Sequence, residues 1–199
     1  MRILTAIGFV LVAAVFLVMY LAVRAGLSTR SEPTAAERIV ARAARRLAVP
    51  SGVRDRKNPV PFSPAVWAEA SAHFADHCAI CHGNDGSGQT ELGRALYPRS
   101  PDMRQPDTQG LSDGELYWII ENGVRLTGMP AWGQGGPDDL DTWKLVHFLR
   151  RLKELTPEQL GAMQLLNPRS PAELEEERAD ERFLAGEEVG PSPHAAHVH

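Results

Sequence analysis

The chain has 199 residues, 43% hydrophobic and 23% charged, with two cysteines and a net charge of −4. That length admits one or two small domains and excludes a large barrel enzyme with separate cofactor and substrate domains. Two cysteines exclude a disulfide-dense scaffold and a four-cysteine zinc site. The charge is unevenly spread. Residues 24–57 carry nine Lys/Arg against three acids, residues 58–153 eight against twelve, and residues 154–199 three against ten. The basic collar has no interleaved aromatics and no nucleic-acid reading motif, so no nucleic-acid partner is expected.

Ile3 to Val23 is a run of 21 residues without a charge, flanked by Arg2 and Arg24. As a helix it spans roughly 32 Å, about one hydrocarbon core, so residues 1–25 are expected to form a transmembrane anchor. A cleaved signal peptide is the rival reading, but its apolar region is shorter and ends at small residues; Val23-Arg24-Ala25 is a poor cleavage site. Residues 26–60 follow as a basic juxtamembrane helix and a Pro-rich linker. In residues 35–48 (AAERIVARAARRLA), Ile39, Ala43 and Leu47 share a stripe with arginines elsewhere. Such a helix either rests on anionic headgroups or serves as a solvated stalk. Pro50, Pro59, Pro61 and Pro64 forbid a long helix and predict an extended linker.

An all-helical domain is expected over residues 61–155. Ser63-Pro64 starts a helix through Val66, Trp67, Ala70 and Phe74 into Cys78. Residues 83–110 are rich in Gly, Pro, Asp and Ser and predict a long loop, which in a compact domain needs something to wrap. Ser112-Asp113-Gly114-Glu115 is a capping box, and the helix behind it stops near Gly123. A second loop runs from Val124 to Pro137. Asp138 or Asp139 then starts a helix through Trp143, Val146, Phe148, Leu149 and Leu152. Residues 156–199 form an acidic tail, with helices capped at Thr156 and Ser170 and a terminus of too little apolar content to pack. No run has a strand period.

The chemistry is concentrated in His77-Cys78-Ala79-Ile80-Cys81-His82. C-x-x-C-H is the attachment pattern of a c-type haem. Two thiols on one helical turn reach the two vinyl groups of a single haem and form thioethers, and His82 is directed at the iron. One covalent haem c through Cys78 and Cys81 also explains how a small domain with long loops finds enough apolar surface. The rivals fit less well. A thioredoxin-like C-x-x-C needs a βαβ setting, and a disulfide across so short a loop is strained. A zinc site would recruit His73 and His77 beside Cys78, Cys81 and His82. A haem iron takes a sixth ligand, and a thioether favours the ferrous state. Met103, Met129 and Met163 are candidates after His82. Met129 is favoured, because Gly128 and Pro130 let its loop pass close to the haem and stiffen it.

Residues of about 60–153 resemble the class I c-type cytochromes, especially the small mono-haem domains of membrane-anchored bacterial respiratory proteins. The resemblance rests on HCAICHGNDGSG, LYPRSPDM, LSDGELYWIIENGVRLTGMPAWG and TWKLVHFLRRL. It implies the cytochrome c fold around one haem, with iron ligated by His82 and Met129. It also implies a proline carbonyl that accepts from the proximal imidazole, for which Pro101 is the best match and Pro98 the second. Ala70 and Phe74 match the crossing of the first helix, and Leu145 and Phe148 that of the last. An electron carrier without catalytic residues follows, because six-coordinate iron leaves no open position. Its partners would be redox proteins of the respiratory chain. The alternative is a cytochrome subunit of a larger membrane dehydrogenase or terminal oxidase, and a gas sensor or peroxidase would need a labile Met129. The positive charge after the span favours a cytoplasmic C-terminus. Haem attachment in the family occurs on the other side, so the expected location is the bacterial inner membrane, with haem domain and C-terminus periplasmic. Three terminal imidazoles, His194, His197 and His199, could bind Cu²⁺, Ni²⁺ or Zn²⁺ weakly.

Overall fold

The computed structural model describes residues 2–25, 29–133 and 139–186. Among them the regular structure is entirely helical. Helix α1 (Arg2–Ala25) is long and apolar enough to cross a membrane. Helix α2 (Ala35–Ala48) starts at a capping box: the Glu37 amide donates to Thr34 Oγ1 at 3.2 Å, and the Thr34 amide donates to Glu37 Oε2 at 2.6 Å. Reciprocal bonds of this kind satisfy two amides that the first turn would leave open.

The remaining helices, apart from the largely exposed α11 (Pro171–Leu184), are arranged around one core. Helix α3 (Ser51–Arg54) is a single turn, and α4 (Pro64–His73) is capped by Ser63, whose hydroxyl accepts from Val66 at 3.2 Å. A π turn (Phe74–Cys78) leads into α5 (Ala79–His82). Two short helices, α6 (Glu91–Ala95) and α7 (Pro106–Gln109), lie within the stretch expected to be an irregular loop. Each is about one turn, too short to leave a periodic signal. Then come α8 (Asp113–Asn122), α9 (Leu140–Arg150), a 3₁₀ turn (Leu152–Glu154), α10 (Pro157–Gln164) and α11 (Pro171–Leu184).

The centre of the fold is the crossing of α4 and α9. Ala70, Phe74, Leu145 and Phe148 are all buried there, as the resemblance implies. The Phe74 and Phe148 rings lie 4.5 Å apart, and Trp67 approaches Phe148 at 5.4 Å. Ala70 lets the two backbones approach while the aromatics fill the sides of the contact. Helix α8 closes the next face, with Tyr117 stacked on Trp143 at 4.3 Å. Arg150 of α9 ties down the entry to α8: it pairs with Asp113 at 2.8 Å and donates to the carbonyls of Gln109 and Leu111 at 2.8 and 2.6 Å. Met163 of α10 is buried in the same core.

Residues 50–62 do not behave as a free extended linker. Asn58 Nδ2 donates to the Trp143 carbonyl at 2.8 Å, and His147 Nε2 stands 2.7 Å from the carbonyl of Val60. Ser112 Oγ donates to the Arg54 carbonyl at 2.6 Å, and Gly114 lies so close to Val53 that a Cβ there would collide with its carbonyl. The Arg56 guanidinium covers the stacked Tyr117 and Trp143 rings at 5.3 and 5.2 Å. The prolines do prevent a long helix, as expected. After the single turn of α3, the chain is laid along α8 and α9 as a strap, because its polar groups find partners on the domain.

Candidate functional site

The cysteine motif sits where α4 changes pitch. The Ala79 amide donates to the carbonyl of Phe74, five residues back, which is a π-type bond. Phe74 upstream therefore stays in the core register, while Cys78, Cys81 and His82 occupy a turn of their own. Helix α5 ends at Gly83, whose φ of +71° suits glycine.

Both cysteines are free and half-buried, and His82 is likewise only partly exposed. Burial pushes the Cys78 thiol up to about 12, with Cys81 adding to the shift, and burial also raises Cys81. Burial pushes His82 down to about 4, so its imidazole is neutral at ordinary pH. That is the state in which a histidine ligates a metal. Its Nδ1 is buried and has no hydrogen-bond partner. The bond from His82 to the Pro101 carbonyl that the resemblance implies is therefore not formed here. The Pro101 carbonyl instead stands beside Gly88, 3.1 Å from where a Cβ would be.

The chain after His82 is folded tightly back on the motif. The Gly88 amide donates to the His82 carbonyl at 2.7 Å. Thr90 Oγ1 donates to the Cys81 carbonyl at 3.1 Å while accepting from Gly93 at 2.8 Å. Gly93 packs against that same Cys81 carbonyl, where a Cβ would not fit. The Met103 amide bonds Gly86 at 2.8 Å and the Ser100 amide bonds Gly93 at 2.9 Å. Arg104 then clamps the loop, with Nε 2.8 Å from Asp102 and Nη1 3.1 Å from Asp85. The Arg104 hydrogen bonds hold the Asp102 carboxyl well below the usual carboxylate range.

The three methionine candidates have different surroundings. Met103 and Met163 are buried in the core, 7% and 3% exposed, whereas Met129 is half-exposed in a loop. That loop is set by Thr127, whose hydroxyl donates to Val124 at 2.7 Å and accepts from the Met129 amide at 3.1 Å. Gly123, at φ +63°, packs against Met129 and Pro130, and Gly128 packs against Leu96 of the loop that follows His82. Three residues beyond Met129, Trp132 meets His77 edge-on at 5.4 Å. Met129 thus lies between one contact to the motif helix and another to the loop beyond it.

Two further groups were not legible in the sequence. Arg104 carries only a weak signal, an Asp-x-Arg spacing at Asp102. The Thr90 contact with Cys81 has none, since it depends on how the loop folds back. Among the described residues no group of three or more His, Cys, Asp or Glu side chains is arranged to hold a metal ion, so the zinc alternative is not assembled. His73 and His77 pack ring to ring at 5.0 Å, and His77 Nδ1 lies 3.1 Å from Asp76. His194, His197 and His199 lie outside the described residues.

The donor set fits a covalently attached haem. Two free thiols are three residues apart, the next residue is a neutral imidazole with an unsatisfied buried nitrogen, and a thioether stands on an adjoining loop. Residues 65–149, less than half of the chain, match the family model described as cytochrome c oxidase, cbb3-type, subunit III. A comparison with curated proteins gives no match. The all-helical fold, the C-x-x-C-H turn and this match agree: residues 65–149 form a c-type cytochrome domain, consistent with a single-haem class I cytochrome.

Proposed function

We propose that this protein is a membrane-tethered electron carrier, with one haem c attached through Cys78 and Cys81 and iron ligands His82 and Met129. Haem bound in this way supplies one-electron exchange between ferric and ferrous iron. The observation that carries the ligand choice is the contrast among the methionines. Met103 and Met163 are core filler, whereas Met129 stands in a loop braced by Thr127 and Gly123, with Gly128 against Leu96 of the neighbouring loop and Trp132 against His77 of the motif. His82 contributes an imidazole kept neutral by burial. With both positions occupied no site is left for substrate, so the protein transfers electrons and does not catalyse a reaction of its own. The Pro101 carbonyl is proposed to accept a hydrogen bond from His82 Nδ1–H in the haem-loaded protein, fixing the ring's orientation. The apolar α1 anchors the protein in the bacterial inner membrane with the haem domain on the periplasmic side, where its partners are respiratory redox proteins.

The test is the reduced and oxidised spectra of the purified haem protein. Met129→Ala should abolish the methionine–iron band of the oxidised form, and Met163→Ala should keep it. A band that survives Met129→Ala refutes the ligand assignment.

The printed description of the matching family favours a second reading, in which the chain is a cytochrome subunit of a larger terminal oxidase. Purification from gently solubilised membranes separates the two. A carrier comes free of stoichiometric oxidase subunits, and a subunit does not.

A further inference from the structure

The faces of α2 are unequal. At about 100° per residue, Ala36, Ile39, Val40, Ala43 and Leu47 share an arc of about 100°. All five are exposed, Ile39 and Val40 at 67% and Leu47 at 86%. The opposite arc faces the haem domain. Arg42 forms an ion pair with Asp107, and Tyr97 Oη donates to Glu37 at 2.9 Å. Just before the helix, Glu32 pairs with Arg99 at 2.7 Å. At its far end Val49 is buried, and Arg54 Nη2 reaches back to the Arg46 carbonyl at 2.5 Å. The strap of residues 50–62 then continues onto α8 and α9. The polar side of the helix is thus fixed to the domain, and its apolar side is turned away from it.

We propose that this apolar face is seated on the anionic surface of the bilayer that α1 crosses, a second membrane contact that fixes how the haem domain is held. The inference rests on the anchoring role of α1. From Ala25 to Ala35 the chain spans at most about 36 Å even fully extended, so α2 never leaves the neighbourhood of the bilayer. A tether of that length keeps the local concentration of membrane surface high. With Arg42 paired to Asp107, Arg38, Arg45 and Arg46 against the one acid Glu37 still leave the helix basic. That is the charge expected of a helix lying in an anionic interface. The side it presents to the membrane is set by the ion pairs that hold its other side.

The experiment uses the full haem-loaded chain, with a nitroxide on Ala43→Cys, in vesicles of three parts phosphatidylcholine to one part phosphatidylglycerol. Oxygen and a water-soluble nickel chelate report where the label sits. Lipid contact raises the oxygen effect and lowers the nickel effect. Adding Ile39→Glu and Leu47→Glu, both at exposed positions, should lower the ratio of seated to unseated helix by about a hundredfold, at roughly tenfold per large apolar side chain. A label at position 43 that reads as aqueous in the parent overturns the proposal. A label shielded from both reagents also overturns it, because a second protein copy then covers the face. The same measurement on Ala13→Cys of α1 separates the two levels. Aqueous at 13 refutes the anchor, whereas lipid at 13 with water at 43 refutes only the seat of α2.

Discussion

The loop after His82 and the loop that carries Met129 bracket the same motif but are built differently. Residues 83–104 fold back through successive backbone bonds to His82, Gly86 and Gly93, a hydroxyl bond to Cys81 and an arginine held by two carboxylates. Residues 123–133 have a hydroxyl brace at Thr127, backbone bonds from Val124 to Met129 and from Thr127 to Val124, and amide bonds from Trp132 and Gly133 to the end of α8. At the tip, Leu126 is 92% exposed and held at φ +63°, a conformation that costs a non-glycine residue about 1 kcal/mol. One side of the site is fixed by the fold. On the other, the strained and exposed tip at Leu126 is the part of the Met129 loop with the fewest contacts.

Three substitutions test that contrast. Gly88→Ala has the largest expected effect. Its φ is +70°, and a Cβ would press into the Ser100 carbonyl, which is backbone and cannot swing aside. We expect a loss of about 3 kcal/mol in denaturant unfolding. A loss under about 1 kcal/mol would mean that this loop is as yielding as the other.

Arg104→Ala comes next, at about 1 kcal/mol, discounted because Arg104 is 34% and Asp102 25% exposed. Its sign with pH is fixed. Asp102 is depressed in the folded protein, so its contribution is present above the ordinary carboxylate pKa of about 4 and fades as pH falls through the lower folded value. The parent should therefore lose stability faster than Arg104→Ala below about pH 4. Parallel acid titrations of the two proteins would remove Arg104 from the account.

Leu126→Gly is the smallest. Relief of the left-handed strain exceeds the added chain entropy by about 0.5 kcal/mol, and no buried contact is lost. Melting should shift slightly upward with the oxidised spectrum unchanged. A marked drop would show that Leu126 holds the Met129 loop in place.

Features that depend on a few adjacent residues were readable in the sequence. The caps at Ser63, Ser112, Thr156 and Ser170 each place a helix start as observed, because capping needs only a hydroxyl and the next three residues. The C-x-x-C-H turn is equally local. The crossing of Ala70 and Phe74 with Leu145 and Phe148 came from resemblance to a family, since nothing in spacing says which helices cross. The docking of the strap has no sequence signal, because prolines exclude only a long helix. Whether it floats or docks depends on Asn58, Arg54 and Arg56 finding partners on α8 and α9, many residues away. The π turn was invisible for a related reason: one added residue in a helix leaves the composition unchanged.

That added residue uncouples two demands on one helix. Ahead of it, Ala70 and Phe74 must keep phase with α9; behind it, the two thiols and the imidazole must keep phase with each other. On an uninterrupted helix a change in either would rotate the other by about 100° for each residue gained or lost. The wide turn absorbs the mismatch, so the packing angle and the attachment geometry can be altered separately. Transplanting the motif to a straight helix would need the deletion of one residue ahead of Cys78.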